Sequence, residues 1–393
     1  MHHLQINLSQ DIIQLRNDGY EVLIKDNHLL IQNIPYFNKK KEIFKGTLVS
    51  KLSISQNKVI PSRDHTVFFI GDAPCDSNGV ELRNIINNSN QQKLSSSIIA
   101  NHLFSSKPSN GYKDYYHKMS TYINMIVSHV ENFNPDYSAK TFRVIEDEYE
   151  ETPFNYVDTN STRAEIKAIN DKIAGLKIGI IGLGGTGAFI LDSIAKTPVK
   201  EIHLFDGDIF CQHNAFRSPG AVSFDELGNN LKKVSHYKNV YSKMHRGVFT
   251  HDFYVKSNNL HFLDHLDFVF ISIDRGQIKK VIFEYLEGRD INFIDTGIGV
   301  QNINNALQAS IRTTSSMINF RDHLWNERVS FCDDEGENLY ASNIQLSELN
   351  SINANFAILQ FKKYYGIYHD LGNELHSIFN LSVNQIINED VRV

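Results

Sequence analysis

Ile178–Gly187 reads IGIIGLGGTG, and Asp206–Arg217 reads DGDIFCQHNAFR. The first stretch has the order of a buried strand, a glycine turn and the start of a helix; the second follows another short apolar run. Glycines let a backbone close tightly around a phosphate, and the N-terminus of the next helix presents free N–H groups and the positive end of its dipole to that phosphate. This half of the chain therefore reads as a nucleotide-binding unit. Further alternation of strands and helices predicts a mainly parallel sheet covered on both faces. Strands are expected at 177–183, 201–206, 268–273 and 292–295, helices at 185–196 and 277–286, a later antiparallel strand at 306–314 and a long helix within 340–365.

A glycine turn followed about 20 residues later by a carboxylate, here Asp206, is also the pattern of a dinucleotide site. An NAD-dependent oxidoreductase is thus one reading. Against it stand an extra glycine, Gly185, and a longer pattern of Asp206, Asp208, Asn214, Arg217, Lys233 and Asp274. A triphosphate with Mg²⁺ uses such a set, cations on its oxygens and a carboxylate on the metal, better than a diphosphate already gripped by the turn.

The turn GLGGTG, the spacing D-x-D-x(5)-N-x-x-R, a following lysine and an aspartate after the apolar strand FVFISI together resemble the ThiF-like family. That family includes the ubiquitin-activating enzymes and the adenylyltransferases of sulfur-carrier proteins. The whole chain also resembles bacterial proteins that join an N-terminal domain of unknown function to an adenylation domain. The resemblance implies ATP- and Mg-dependent adenylation of the C-terminal glycine carboxylate of a ubiquitin-like protein. It implies that Gly182, Gly184, Gly185 and Gly187 form the nucleotide turn, that Asp206 holds the ribose and Asp208 lies beside it, and that Asn214, Arg217 and Lys233 hold the phosphates. Lys233 fits the family register better than Lys232. Asp274 is the implied Mg²⁺ ligand, and Arg163 the arginine that a homodimer partner places over the phosphates. The chain departs from the family at Arg275, where an asparagine is usual, at Ser218, where a glutamine is usual, and in having three cysteines, too few for the family's four-cysteine zinc site.

Each residue also has a plainer reading. Asp206 could cap a strand, Lys233 could lie on a solvated helix face, and Arg163 could be an ordinary surface arginine. A catalytically silent nucleotide-binding scaffold is the rival that would keep the fold without the chemistry. Thioester transfer after adenylation would need a cysteine; Cys332, in the polar stretch 319–338 where the family's crossover loop falls, is preferred to Cys75, while Cys211 lies within the nucleotide loop.

The 393 residues suffice for two or three domains, and the acidic stretch VIEDEYEETP at 144–153 divides them. We expect an α+β domain over 1–150, partner-binding or similar in element order to a ubiquitin-conjugating enzyme, and a Rossmann-like adenylation domain over 151–393. The first is expected to hold a helix near 8–18, four strands in YEVLIK, HLLIQNI, GTLVSKLSIS and HTVFFIG, and a helix over 115–129. His65 and Cys75 would be its residues of interest. A net charge of −6 gives no reason to expect a nucleic acid or membrane partner, and the start MHHLQINLSQD lacks the blocks of a signal peptide. Scattered cysteines fit a reducing cytoplasm. A conjugating enzyme is a further partner on this reading.

Overall fold

The computed structural model describes residues 9–55, 58–59, 64–95, 97–143, 152–156, 158, 160–161, 166–331 and 344–392. Two compact units divide the chain: residues 1–146 with 158–167, and residues 147–157 with 168–393.

In the first unit, helix α1 (Gln10–Asn17) leads into a meander of β1 (Glu21–Lys25), β2 (His28–Phe37), β3 (Ile43–Lys51) and β4 (Thr66–Ile70). Asp26 and Asn27 take positive φ angles of 49° and 59°, and this two-residue turn suits the twist of the β1–β2 hairpin. With β5 (Ile86–Asn88) and β6 (His102–Ser105), the strands form an antiparallel sheet in the order β1-β2-β3-β4-β6-β5. Helix α2 (Tyr115–Glu131) buries Met119, Tyr122, Ile123, Ile126, Val127 and Val130, the stripe that helical periodicity places on one face. Its N-terminus is capped by Asp114, whose carboxylate accepts the N–H of His117 at 2.7 Å.

Cys75 and His65, the residues of interest in this unit, both have structural surroundings. Cys75 packs with Phe37 and Val130, is buried, and its Sγ donates to the carbonyl of Ala73 at 3.4 Å. Burial pushes its thiol pKa up. A protonated, enclosed thiol is no acceptor for an acyl group. His65 is engaged with Ser105, Nε2 to Oγ at 3.2 Å.

The second unit contains β7 (Lys177–Ile181), β8 (Glu201–Phe205), β9 (Val248–His251), β10 (Phe268–Ile271), β11 (Asn292–Ile303), β12 (Ala306–Ser316), β13 (Glu374–Asn380) and β14 (Gln385–Val391). Their order is β9-β8-β7-β10-β11-β12-β13-β14. The first five are parallel and the last three are added antiparallel. Apolar runs such as KIGII and FVFI suit strands covered on both faces. On one face, α3 (Gly185–Ile194) and α7 (Ser347–Tyr364) enclose Ile178, Ile180, Phe268, Phe270 and Phe361. On the other, α6 (Gly276–Glu287) covers Ile181, Phe205, Val269, Ile271 and Phe293.

The strand expected to end at Asp295 runs on to Ile303 and pairs with β12 down to Ile303 opposite Ala306. Its outer half, GVQNI, is largely exposed and lacks the apolar alternation that marks a half-buried strand. The ribbon is closed by Asn304 and Asn305, with φ of 52° and 65°. Among the described residues, no helix is long and apolar enough to cross a membrane.

Candidate nucleotide site

β7 stops at Ile181, and Gly182 follows with a φ of +88°, in the left-handed region that glycine enters without strain. A Cβ on Gly182 would lie 2.5 Å from the carbonyl oxygen of Ser272, after β10. A Cβ on Gly187 would lie 1.9 Å from the carbonyl oxygen of Gly182, so the first turn of α3 rests directly on the end of β7. At Gly184, which caps α3, a Cβ would meet nothing within 4 Å. The helix N-terminus therefore opens onto free space, where its N–H groups can receive an anion.

Gly185 serves a different contact. A Cβ there would lie 2.0 Å from Nδ2 of Asn350, on α7. Asn350 is buried; its Oδ1 accepts the Thr186 hydroxyl at 3.0 Å and its Nδ2 donates to the carbonyl of Arg217 at 3.3 Å. It joins the glycine turn to the loop after β8. Sequence reasoning missed Asn350; α7 is polar along much of its length and also buries Asn353 and Gln360, so no local pattern singles Asn350 out.

Asp206 follows β8 and is 6% exposed. Its Oδ2 accepts the N–H of Leu183 at 2.7 Å and its Oδ1 accepts the N–H of Asp208 at 2.8 Å. Lys233 begins helix α5 (Lys233–Tyr241) and is buried, with Nζ 2.7 Å from Oδ2 of Asp208 and 3.5 Å from Oδ2 of Asp206. Its own N–H donates to the carbonyl of Asp208 at 2.9 Å. Burial raises the Asp208 pKa, but hydrogen bonds from Lys233 and Tyr254 outweigh it and hold the carboxyl below its ordinary value. Lys232 turns elsewhere, donating to the carbonyl of Gly207 at 2.6 Å with its Nζ 3.4 Å from Asp252.

The short helix α4 (Gln212–Ala215) positions Asn214, whose Oδ1 accepts the N–H of Cys211 at 2.8 Å. Arg217 follows. Burial pushes its pKa down, opposed by Tyr237, Asp274 and Asp208. Asp274 itself is exposed, three residues beyond β10 and one before the N-cap of α6. Nδ2 of Asn214 and Nε of Arg217 are buried without a hydrogen-bond partner among the described residues. A buried donor with no acceptor is costly, so both point to an acceptor that the described residues do not supply.

The glycines, Asp206, Asp208, Asn214, Arg217, Lys233 and Asp274 thus meet at the carboxyl ends of β7, β8 and β10, where ligands bind in open α/β sheets. These residues fit a nucleotide: open N–H groups, orphaned amide and guanidinium donors, and a lysine for phosphate oxygens. Asp274 supplies a carboxylate oxygen of the kind Mg²⁺ takes. Arg163 and Cys332 lie outside the described residues. Cys211 is exposed, with its Sγ 3.7 Å from the carbonyl of Ile209.

Comparison with known proteins bears on this site. No curated protein matches the sequence. Similar solved structures include E. coli MccB with ATP (18% identity, TM-score 0.44) and E. coli MccB with MccA-N7isoASN (18%, 0.45), each over 57% of this chain and 66% of that one. Selenomethionine PaaA is similar at 18% identity and a TM-score of 0.43, over 57% of this chain and 76% of its own. The chain thus spans 66% of the length of the MccB chains it matches. Residues 10–159 match a domain of unknown function, DUF6791. Residues 161–360, just over half of the chain and all of the glycine turn and the loops around it, match the ThiF family, and the chain belongs to that family.

Proposed function

We propose that this chain is an ATP- and Mg²⁺-dependent adenylyltransferase whose substrate is the C-terminal glycine carboxylate of a ubiquitin-like protein. The observation that carries the reading is a pair of buried donors with no partner among the described residues, Arg217 Nε and Asn214 Nδ2, in the loop that Asn350 ties to the glycine turn. A nicotinamide dinucleotide would leave those donors without a task.

In the proposed reaction, a carboxylate oxygen of the partner attacks the α-phosphorus of ATP. A new P–O bond forms, the bond to the bridging oxygen breaks, and pyrophosphate leaves with the electron pair. A carboxylate is ionised near pH 7, so the enzyme supplies position and charge rather than a strong base. The N–H groups of the first turn of α3, after its N-cap Gly184, receive phosphate oxygens, and Asp206 offers its remaining lone pairs to the ribose. Asn214, Arg217 and Lys233 stabilise the charge that develops on the departing pyrophosphate. Asp208 positions Lys233 through their 2.7 Å contact. Asp274 holds Mg²⁺, which when bound neutralises charge on the phosphate oxygens. Arg163 acts from the second copy of a homodimer; the Cys332 thiolate attacks the acyl carbon of the adenylate, so that a C–S bond forms, the C–O bond to the phosphate breaks and AMP leaves; and the domain over 1–150 binds the partner or acts as a conjugating-enzyme-like module.

The test is exchange of labelled pyrophosphate into ATP, run with a candidate ubiquitin-like protein and with the same protein lacking its terminal glycine. Exchange that needs both the partner and its glycine supports the proposal. Tight ATP binding with no exchange for any carboxylate partner favours the silent scaffold, and NAD binding in place of ATP favours the oxidoreductase.

A further inference from the structure

Away from the nucleotide edge, Glu201, His203 and His265 bring three ligand atoms within 4.8 Å of one another. Glu201 and His203 project from one face of β8, two residues apart. His265 stands on the segment between a 3₁₀ turn at Leu260–Leu263 and β10. His203 Nε2 lies 3.3 Å from His265 Nε2 and 3.1 Å from Oε2 of Glu201.

We infer that Glu201, His203 and His265 form a transition-metal site, with Zn²⁺ as the ion that suits it best. Zinc takes imidazole nitrogen and carboxylate oxygen at about 2.0–2.2 Å in a tetrahedron, which sets its ligand atoms about 3.3 Å apart. The two short contacts, 3.3 Å and 3.1 Å, are edges of that size. A mixed nitrogen and oxygen set selects zinc or a neighbouring transition ion over Mg²⁺ or Ca²⁺, which prefer oxygen alone. His265 is exposed, so water can complete the coordination from the solvent side.

The surroundings orient the ligands as metal sites require. His203 Nδ1 lies 3.0 Å from His251 Nε2, on β9. With the proton on Nδ1, the lone pair of His203 Nε2 points at Glu201 and His265. The second oxygen of Glu201 is held by Lys177 at 3.3 Å. Phe249 stacks on the His203 ring with centroids 5.0 Å apart, fixing its plane. Gly179 pairs with His203 across β7 and β8, and a Cβ there would lie 2.6 Å from Leu266 Cδ1. A glycine inside a strand marks a close approach, and here it admits the segment that carries His265. The ion would clamp the segment leading into β10 onto β8, the strands that end before Asp274 and Asp206.

The full chain, stripped with EDTA and desalted, should be titrated with ZnCl₂ by calorimetry in the presence of Mg²⁺. Wild type is expected to take up a single equivalent. His265→Ala and Glu201→Gln are each expected to lose about tenfold or more in affinity. Asp274→Ala is expected to bind zinc as wild type does, which separates this site from the nucleotide edge. Co²⁺ as a probe should give the visible bands of a tetrahedral site, absent in His265→Ala. His265 is exposed and Glu201→Gln keeps size and shape, and circular dichroism checks that both variants fold. No zinc uptake by wild type would overturn the assignment. So would near-wild-type affinity in either variant, or uptake lost in Asp274→Ala alone.

Discussion

Asp206 accepts the N–H of Leu183 at 2.7 Å, so the residue that closes β8 also holds the glycine turn that follows β7. Its other oxygen fixes Asp208, which in turn holds Lys233. One buried carboxylate thus organises the turn, the loop and the first residue of α5. Asp206→Ala removes an acceptor from two backbone donors and should cost about 1–3 kcal/mol of stability. Chemical denaturation and ATP affinity measured on the same protein check this; unchanged stability would show that solvent replaces the carboxylate without cost.

The glycines separate folding from binding. Gly187→Ala places a Cβ 1.9 Å from a carbonyl oxygen and should destabilise the fold sharply, because backbone must move to relieve it. Gly184→Ala meets no atom within 4 Å and should leave the melting temperature close to wild type. The same methyl enters the space ahead of α3 and should weaken ATP binding at least tenfold. A stable Gly184→Ala protein with wild-type ATP affinity would move the phosphates elsewhere.

Asp274 is exposed, so Asp274→Ala should fold normally and lose Mg²⁺-dependent exchange between pyrophosphate and ATP. Mixing that variant with Arg163→Ala should restore part of the activity, since one site of a hybrid dimer would keep both residues. Proven subunit exchange without recovery would count against Arg163 acting across a dimer.

The cysteines make distinct predictions for an acyl adduct on a non-reducing gel. Cys75→Ala should leave the adduct unchanged, because Cys75 is buried and its thiol is pushed up. Cys332→Ala should abolish it. A thiol-sensitive adduct that survives in Cys332→Ala would transfer the role to another nucleophile.

His245 gives the second unit a defined pH dependence. It is fully buried, its Nδ1 accepts the N–H of Gly247 at 3.1 Å, and its Nε2 donates to the carbonyl of Val199 at 3.0 Å. Desolvation by burial pushes its pKa down to about 4. As pH falls from about 6.5 towards 4, the unfolded chain gains a proton that the folded chain refuses, so stability declines, by up to about 3 kcal/mol. His245→Gln should show a shallower decline over that window in denaturation curves. Identical slopes would show that the folded protein takes up the His245 proton as readily as the unfolded chain does.

The parallel half was legible because its chemistry is local. The strand, the glycine turn and the Asp206–Arg217 loop are contiguous, and apolar runs covered on both faces need no tertiary partner to be recognised. The outer half of β11 was not, since its pairing with β12 rests on a two-asparagine turn and exposed polar residues rather than on hydrophobic alternation. Asn350 was invisible for a related reason: it lies 164 residues from Thr186, and only the fold brings them together. His203 and His265 are separated by 62 residues, with no spacing that marks a metal site.

The placement of β7 between β8 and β10 sets a ruler for ligands. Asp206 and Asp274 issue from strands two places apart, so their separation starts from two inter-strand spacings, about 10 Å. Backbone hydrogen bonds set that interval, and no side-chain substitution can lengthen or shorten it. Divergence in what this sheet accepts must therefore come from the loops that leave it, 207–232 and 272–275, while the interval between the strand ends stays constant.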